Sequence, residues 1–138
     1  MGGGAALTFA AHHPERVRAV CDIMGVTDFA RFYREGHYRD SLHAAYGGSP
    51  DEIPYVYRDR SSLFAIDTLK HIPVMIIHGE ADATVPIWNS ECLFEQLQTA
   101  GGHVAFVRAP DIGHGNFVIH GHEQDVLRFL MKDGEERG

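Results

Sequence analysis

Long apolar runs are missing from this chain. No stretch approaches the roughly 20 residues that a membrane-spanning helix needs, and residues 2–11, although largely apolar, lack the basic flank of a signal peptide. Cysteine is scarce too. Cys21 in an apolar strand-like run and Cys92 in a helix-like run cannot build the disulfide framework of a small secreted domain, so both are expected as reduced core residues and the balance leans to the cytoplasm. Basic residues number 12 against 19 acidic ones, a formal charge of -7, with no Lys/Arg-rich run. That pattern argues against nucleic acid or an anionic membrane as a partner and suits a small neutral or cationic ligand. Neither low-complexity tracts nor internal repeats occur, and 138 residues with 44% hydrophobic and 22% charged side chains suffice for one core. Only the tail 132–138 is expected to lack order.

What is there alternates between strand-like and helix-like segments. Gly4 to His13 is a small-residue helix suited to close packing on a sheet and stopped at Pro14. Val17 to Val26 reads as a parallel strand covered on both faces. Thr27-Asp28 then offers a helix cap, and residues 27–60 change character. All five tyrosines fall there, interleaved with Arg31, Arg34, Arg39, Arg58 and Arg60, as in a lid-like insertion lying over the sheet. Inside it, Ser49-Pro50-Asp51-Glu52 has the form of a capping box and predicts a helix opening at that point. Ile72 to His78 is the clearest buried strand. An amphipathic helix from Asn89 to Ala100 follows, closed by Gly101-Gly102, then a strand from His103 to Ala109 and a helix from Val118 to Met131. The alternation predicts an α/β fold with a parallel sheet and right-handed crossovers.

Two loops carry the chemistry: His78-Gly79-Glu80-Ala81-Asp82 after one strand, and Asp111-Ile112-Gly113-His114-Gly115 after another. Ligands of open α/β sheets gather at the carboxyl ends of strands, so Asp82 and His114 are expected on one edge. Acyl transfer by a serine needs a base that takes the hydroxyl proton and a carboxylate that orients the imidazole. Asp82 and His114 supply those two residue types. The rest is weaker. Asp28 is a rival acid but better explained as a helix cap. Ser49 is absorbed by the capping box, Ser61 and Ser62 start a short helix, Ser90 lies inside one, and none sits in a nucleophile turn. The histidines at 12–13 and the pair His120 and His122 lack metal-ligand spacing, so no metal or other cofactor is expected.

With IPVMIIHGEADATVP, the helix Ser90-Glu91-Cys92-Leu93 and GGHVAFVRAPDIGHG, the chain resembles the catalytic domain of α/β-hydrolases, most closely the prolyl-oligopeptidase-like group, over nearly its whole length but only about the carboxyl half of the usual domain. The resemblance implies a three-layer sandwich that is a partial α/β-hydrolase fold spanning residues 1–138. It makes Asp82 the triad acid, His114 the base, and Met1 the position just after the nucleophile, where the family places an oxyanion-hole donor. Met1-Gly2-Gly3 reads like the tail of GxSxGG, so the serine is expected immediately before Met1. The implied activity is hydrolysis of a small ester or peptide substrate once upstream residues are supplied, with the literal chain inactive. The alternative is a non-catalytic binding or assembly module. Without earlier strands, the first strand should leave an open edge at which a homodimer could form.

Overall fold

The computed structural model describes residues 1–135, with side chains through Lys132. Three strands, β1 (Val20–Ile23), β2 (Val74–Gly79) and β3 (Val104–Ala109), lie in the order β1-β2-β3, and both pairs are parallel. Val74 is the common register point, facing Val20 on one side and Val104 on the other. All three strands therefore end on the same edge.

Helices cover both faces, as predicted. Strand residues alternate between faces, so Val74 and Ile76 of β2 join Val20 in one cluster while Met75 and Ile77 join another. The first cluster takes in Leu7 and Ala10 of α1 (Gly2–His12), Leu69 of α5 (Ile66–Leu69), and Leu93 and Leu97 of α6 (Trp88–Thr99). The second is closed by Phe129 of α7 (Glu123–Glu135) and Val118. Every residue of β2 is buried, and burying Ile76 and Ile77 on opposite faces contributes about 2–3 kcal/mol each.

Residues between β1 and β2 form three further helices, α2 (Phe29–Arg34), α3 (Arg39–Tyr46) and α4 (Pro54–Arg60). They carry a separate cluster of Val26, Phe29, Phe32, Leu42, Tyr57 and Val85. Tyr57, fully buried, stacks edge-on against Tyr33 and Tyr46 and donates its hydroxyl to the Gly48 carbonyl at 3.0 Å. Asp28 is the cap expected of it: its Oδ1 accepts the Arg31 backbone N–H at 3.0 Å.

Four expectations need correction. The capping box at Ser49 forms both of its reciprocal bonds, Ser49 N–H to Glu52 Oε2 at 2.8 Å and Glu52 N–H to Ser49 Oγ at 3.3 Å, but it closes a turn and no helix follows from it. Pro54 explains this, because a proline forces the residue before it out of helical geometry, and Ile53 has φ -134 and ψ 58. The helix starts afresh at Pro54. The first strand is four residues long rather than ten, since Pro14–Arg16 forms a 3-10 turn and Met24 turns into the left-handed region with φ 52. The last helix is split: Asn116–Ile119 is a short 3-10 turn, and Gly121 at φ 84 separates it from α7. The tail expected to lack order is helical as far as Glu135, and residues 136–138 lie outside the described residues. No described helix is long and apolar enough to cross a membrane.

Candidate active site

Strand β2 ends at Gly79, and the chain turns at once into the loop that holds Asp82. A close approach fixes this turn: a Cβ on Gly79 would overlap the carbonyl of Ile112 in the loop after β3. Two backbone bonds zip those loops together, Glu80 N–H to the Ala109 carbonyl at 2.9 Å and Ala81 N–H to the Ile112 carbonyl at 3.0 Å. Asp111 relieves the second loop by adopting φ 59, a conformation that Asp tolerates better than most residues.

The Asp82 carboxylate is divided between two tasks. Oδ1 accepts the backbone N–H groups of Thr84 at 2.9 Å and Val85 at 2.8 Å, which locks its own loop, while Oδ2 lies 2.7 Å from His114 Nδ1. A carboxylate only accepts, so His114 carries its proton on Nδ1 and leaves the Nε2 lone pair free. The Asp82 side chain is fully buried and that of His114 is 33% exposed, so the imidazole is anchored at one end and reachable at the other. That is the geometry of an oriented general base. Changing Asp82 to Asn keeps the Oδ1 acceptor but presents an amide donor to the ring. Asp82→Asn is expected to fold normally and to abolish the downfield Nδ1 proton of His114 in proton NMR.

Met1 caps the first turn of α1, its carbonyl accepting the Ala5 N–H at 3.0 Å. That turn abuts the carboxyl end of β1 at a narrow crossing: a Cβ at Gly3 or at Gly25 would strike Asp22 Oδ1 and the other glycine's backbone. Residue 1, Asp82 and His114 thus share the edge formed by the strand ends, and no hydrogen bond among the described residues joins Met1 to His114.

Two buried groups were missed in the sequence. Asp22 sits in mid-strand under the α1 turn, fully buried, and neither carboxyl oxygen has a hydrogen-bond partner. Burial pushes its carboxyl up to about 7, drawn back in part by the nearby Gly25 N–H and the terminal amine. A lone acidic residue within AVCDIM was the available signal. The same environment raises the neighbouring Cys21 thiol to about 11, through burial first and Asp22 second, which makes it a poor nucleophile. His78, quoted above only as part of a motif, is also fully buried, and burial lowers its basicity. No hydrogen bond among the described residues joins any of the remaining candidates directly to Asp82 or His114. Ser90 is buried in α6, Ser61 hydrogen-bonds the Phe29 N–H and the Tyr57 carbonyl, and His120 pairs with Glu123 and His122 with Asp125 at the surface. Among the described residues no three His, Cys, Asp or Glu side chains gather as a metal would need.

Parallel strands flanked by helices on both faces, with an Asp–His pair at their carboxyl edge, define an α/β-hydrolase-type fold. The same fold is found in a puromycin-hydrolyzing peptidase of Mycobacterium tuberculosis, which superposes with a TM-score of 0.79 at 23% identity over 93% of this chain and 20% of that one. Residues 1–132 match the prolyl oligopeptidase family, and the chain belongs to it. Among curated proteins it is 33% identical over 75 residues to an uncharacterized peptidase, YtmA, of Bacillus subtilis, which covers 54% of this chain and 29% of that one. It is 29% identical over 72 residues to the esterase LipC of Mycobacterium tuberculosis, covering 51% of this chain and 18% of the relative. The chain therefore matches less than a third of the length of either curated relative.

Proposed function

We propose that this chain supplies the acid and base of a serine hydrolase acting on ester or peptide bonds, with Asp82 as the acid, His114 as the base and a serine directly ahead of Met1 as the nucleophile. The observation that carries the reading is the 2.7 Å contact between Asp82 Oδ2 and His114 Nδ1 at the carboxyl edge of a parallel sheet, with the opposite ring nitrogen free. Family membership supports it, as does the mixture of peptidase and esterase among the relatives.

Chemically, His114 Nε2 takes the serine hydroxyl proton as the oxygen attacks the acyl carbon, and Asp82 stabilises the imidazolium that results. The same nitrogen then returns the proton to the leaving group, and water repeats the cycle on the acyl-enzyme. A residue ahead of Met1 turns the Met1 nitrogen into a peptide N–H at the start of α1, placed to donate to the oxyanion; such a donor is worth about 3 kcal/mol. Residues 27–60 act as a lid over the sheet, with Tyr33, Tyr46 and Tyr57 packed into the lid's own core.

The test is a paired assay. Residues 1–138 alone are expected to hydrolyse p-nitrophenyl esters no faster than buffer and to leave a fluorophosphonate probe unbound. The same chain extended upstream in its natural reading frame is expected to reveal Gly-x-Ser before Met1, to label with the probe, and to lose about 10⁴-fold in rate on Asp82→Asn. Ligand binding without labelling by the extended chain would replace this reading with that of a non-catalytic binding module.

A further inference from the structure

Two imidazoles, not one, converge on Asp82 Oδ2: His114 Nδ1 at 2.7 Å and His78 Nε2 at 3.3 Å. His78 follows Val74 and Ile76 along β2, so strand alternation turns it toward α6. There its Nδ1 lies 2.6 Å from Ser90 Oγ, while Nε2 lies 2.8 Å from the Val85 carbonyl. These partners decide the tautomer. A carbonyl only accepts, so Nε2 carries the hydrogen; the neutral ring then accepts at Nδ1, and the Ser90 hydroxyl donates. His78 and Ser90 are fully buried, and burial is the leading cause holding the His78 ring toward its neutral form.

The arrangement has a consequence for the couple. A charged His78 would compete with His114 for the same carboxylate oxygen. The neutral ring adds no charge to draw the carboxylate from His114, and its Nε2 hydrogen goes to the Val85 carbonyl, nearer at 2.8 Å than Asp82 Oδ2 at 3.3 Å; Val85 is the residue whose own N–H holds Asp82 Oδ1. Strand β2, helix α6 and loop 80–86 are thereby closed into one ring of bonds, with Asp82 Oδ2 left facing His114. We propose that Ser90 and His78 are positioning residues for the Asp82–His114 couple, Ser90 setting the His78 tautomer and His78 setting the orientation of the Asp82 carboxylate. The proposal rests on that couple being the acid and base of the site.

Nitrogen and proton NMR of the chain, labelled in histidine, tests it. In the wild-type chain His78 is expected to carry its proton on Nε2 and none on Nδ1 throughout the neutral range, and His114 to show a downfield Nδ1 proton. Removing the donor with Ser90→Ala is expected to scramble the His78 tautomer and to make the His114 proton exchange with water about tenfold faster, equivalent to roughly 1.4 kcal/mol. A second pair of variants carries the test if Ser90→Ala does not fold. Gln places an amide donor near the Nε2 position and Asn near Nδ1, so His78→Gln should restore slow exchange and His78→Asn should not. A structural effect on packing alone would not separate those two. A doubly protonated His78 at neutral pH, or a His114 proton unchanged in Ser90→Ala and His78→Asn, overturns the proposal and leaves the couple standing. Absence of the His114 proton in the wild-type chain overturns both.

Discussion

Gly79→Ala lowers the melting temperature by roughly 10 °C and separates Asp82 from His114. The physical reason is local. A methyl group at residue 79 occupies the space of the Ile112 carbonyl, which is backbone and cannot rotate away. The two loops must therefore part, and the bonds from Ala81 N–H to Ile112 and from Glu80 N–H to Ala109 stretch with them. Overpacking of this kind costs about 3 kcal/mol, which for a chain of this size corresponds to that shift in melting temperature. Because His114 rides on the displaced loop, the loss of the couple should exceed the loss of stability. Thermal melts by circular dichroism give the first quantity, and the downfield His114 proton gives the second. A variant that melts like wild type with that proton intact would show that the loops are not held by this contact.

The second large effect is a stability that falls as pH rises. Asp22 is fully buried and its carboxyl is raised from 3.8 to about 7, so the folded state keeps a proton that the unfolded state releases. Its contribution is complete below pH 3.8 and is lost progressively until pH passes about 7. Integrated over that window the loss is about 4 kcal/mol. Asp22→Asn removes the titration, and the variant's stability should be flat across the same range apart from the remaining groups. At alkaline pH the variant should be the more stable protein, by less than the full amount because the amide is itself buried without partners. Urea unfolding at several pH values measures this directly. Parallel pH profiles for the two proteins would mean that Asp22 finds a partner on folding.

Both effects arise at sites where the chain brings backbone against backbone, and this also separates what was legible in the sequence from what was not. The strand of residues 72–78 was legible because every residue of it is buried and apolar or paired, and because β2 is the central strand. The first strand was overextended because an apolar run does not reveal that Met24 leaves the extended region to let β1 end beneath α1. The capping box at Ser49 shows the limit of local motifs. Both of its hydrogen bonds form, yet Pro54 decides where the helix begins. Asp82 and His114 could be singled out because short glycine-bearing loops after strands expose chemistry at a known edge of such sheets.

The sequence by itself determined the order of elements, the parallel sheet and the residue types at the strand ends, since burial patterns and glycine-flanked turns are local properties. The tertiary structure alone decided which groups were left without water. His78, Ser90 and Asp22 owe their states to the groups that the fold packs around them: an imidazole held between a serine and a carbonyl, and a carboxyl closed in by two glycine backbones. Desolvation depends on what packs around a group, and no window of sequence contains that information.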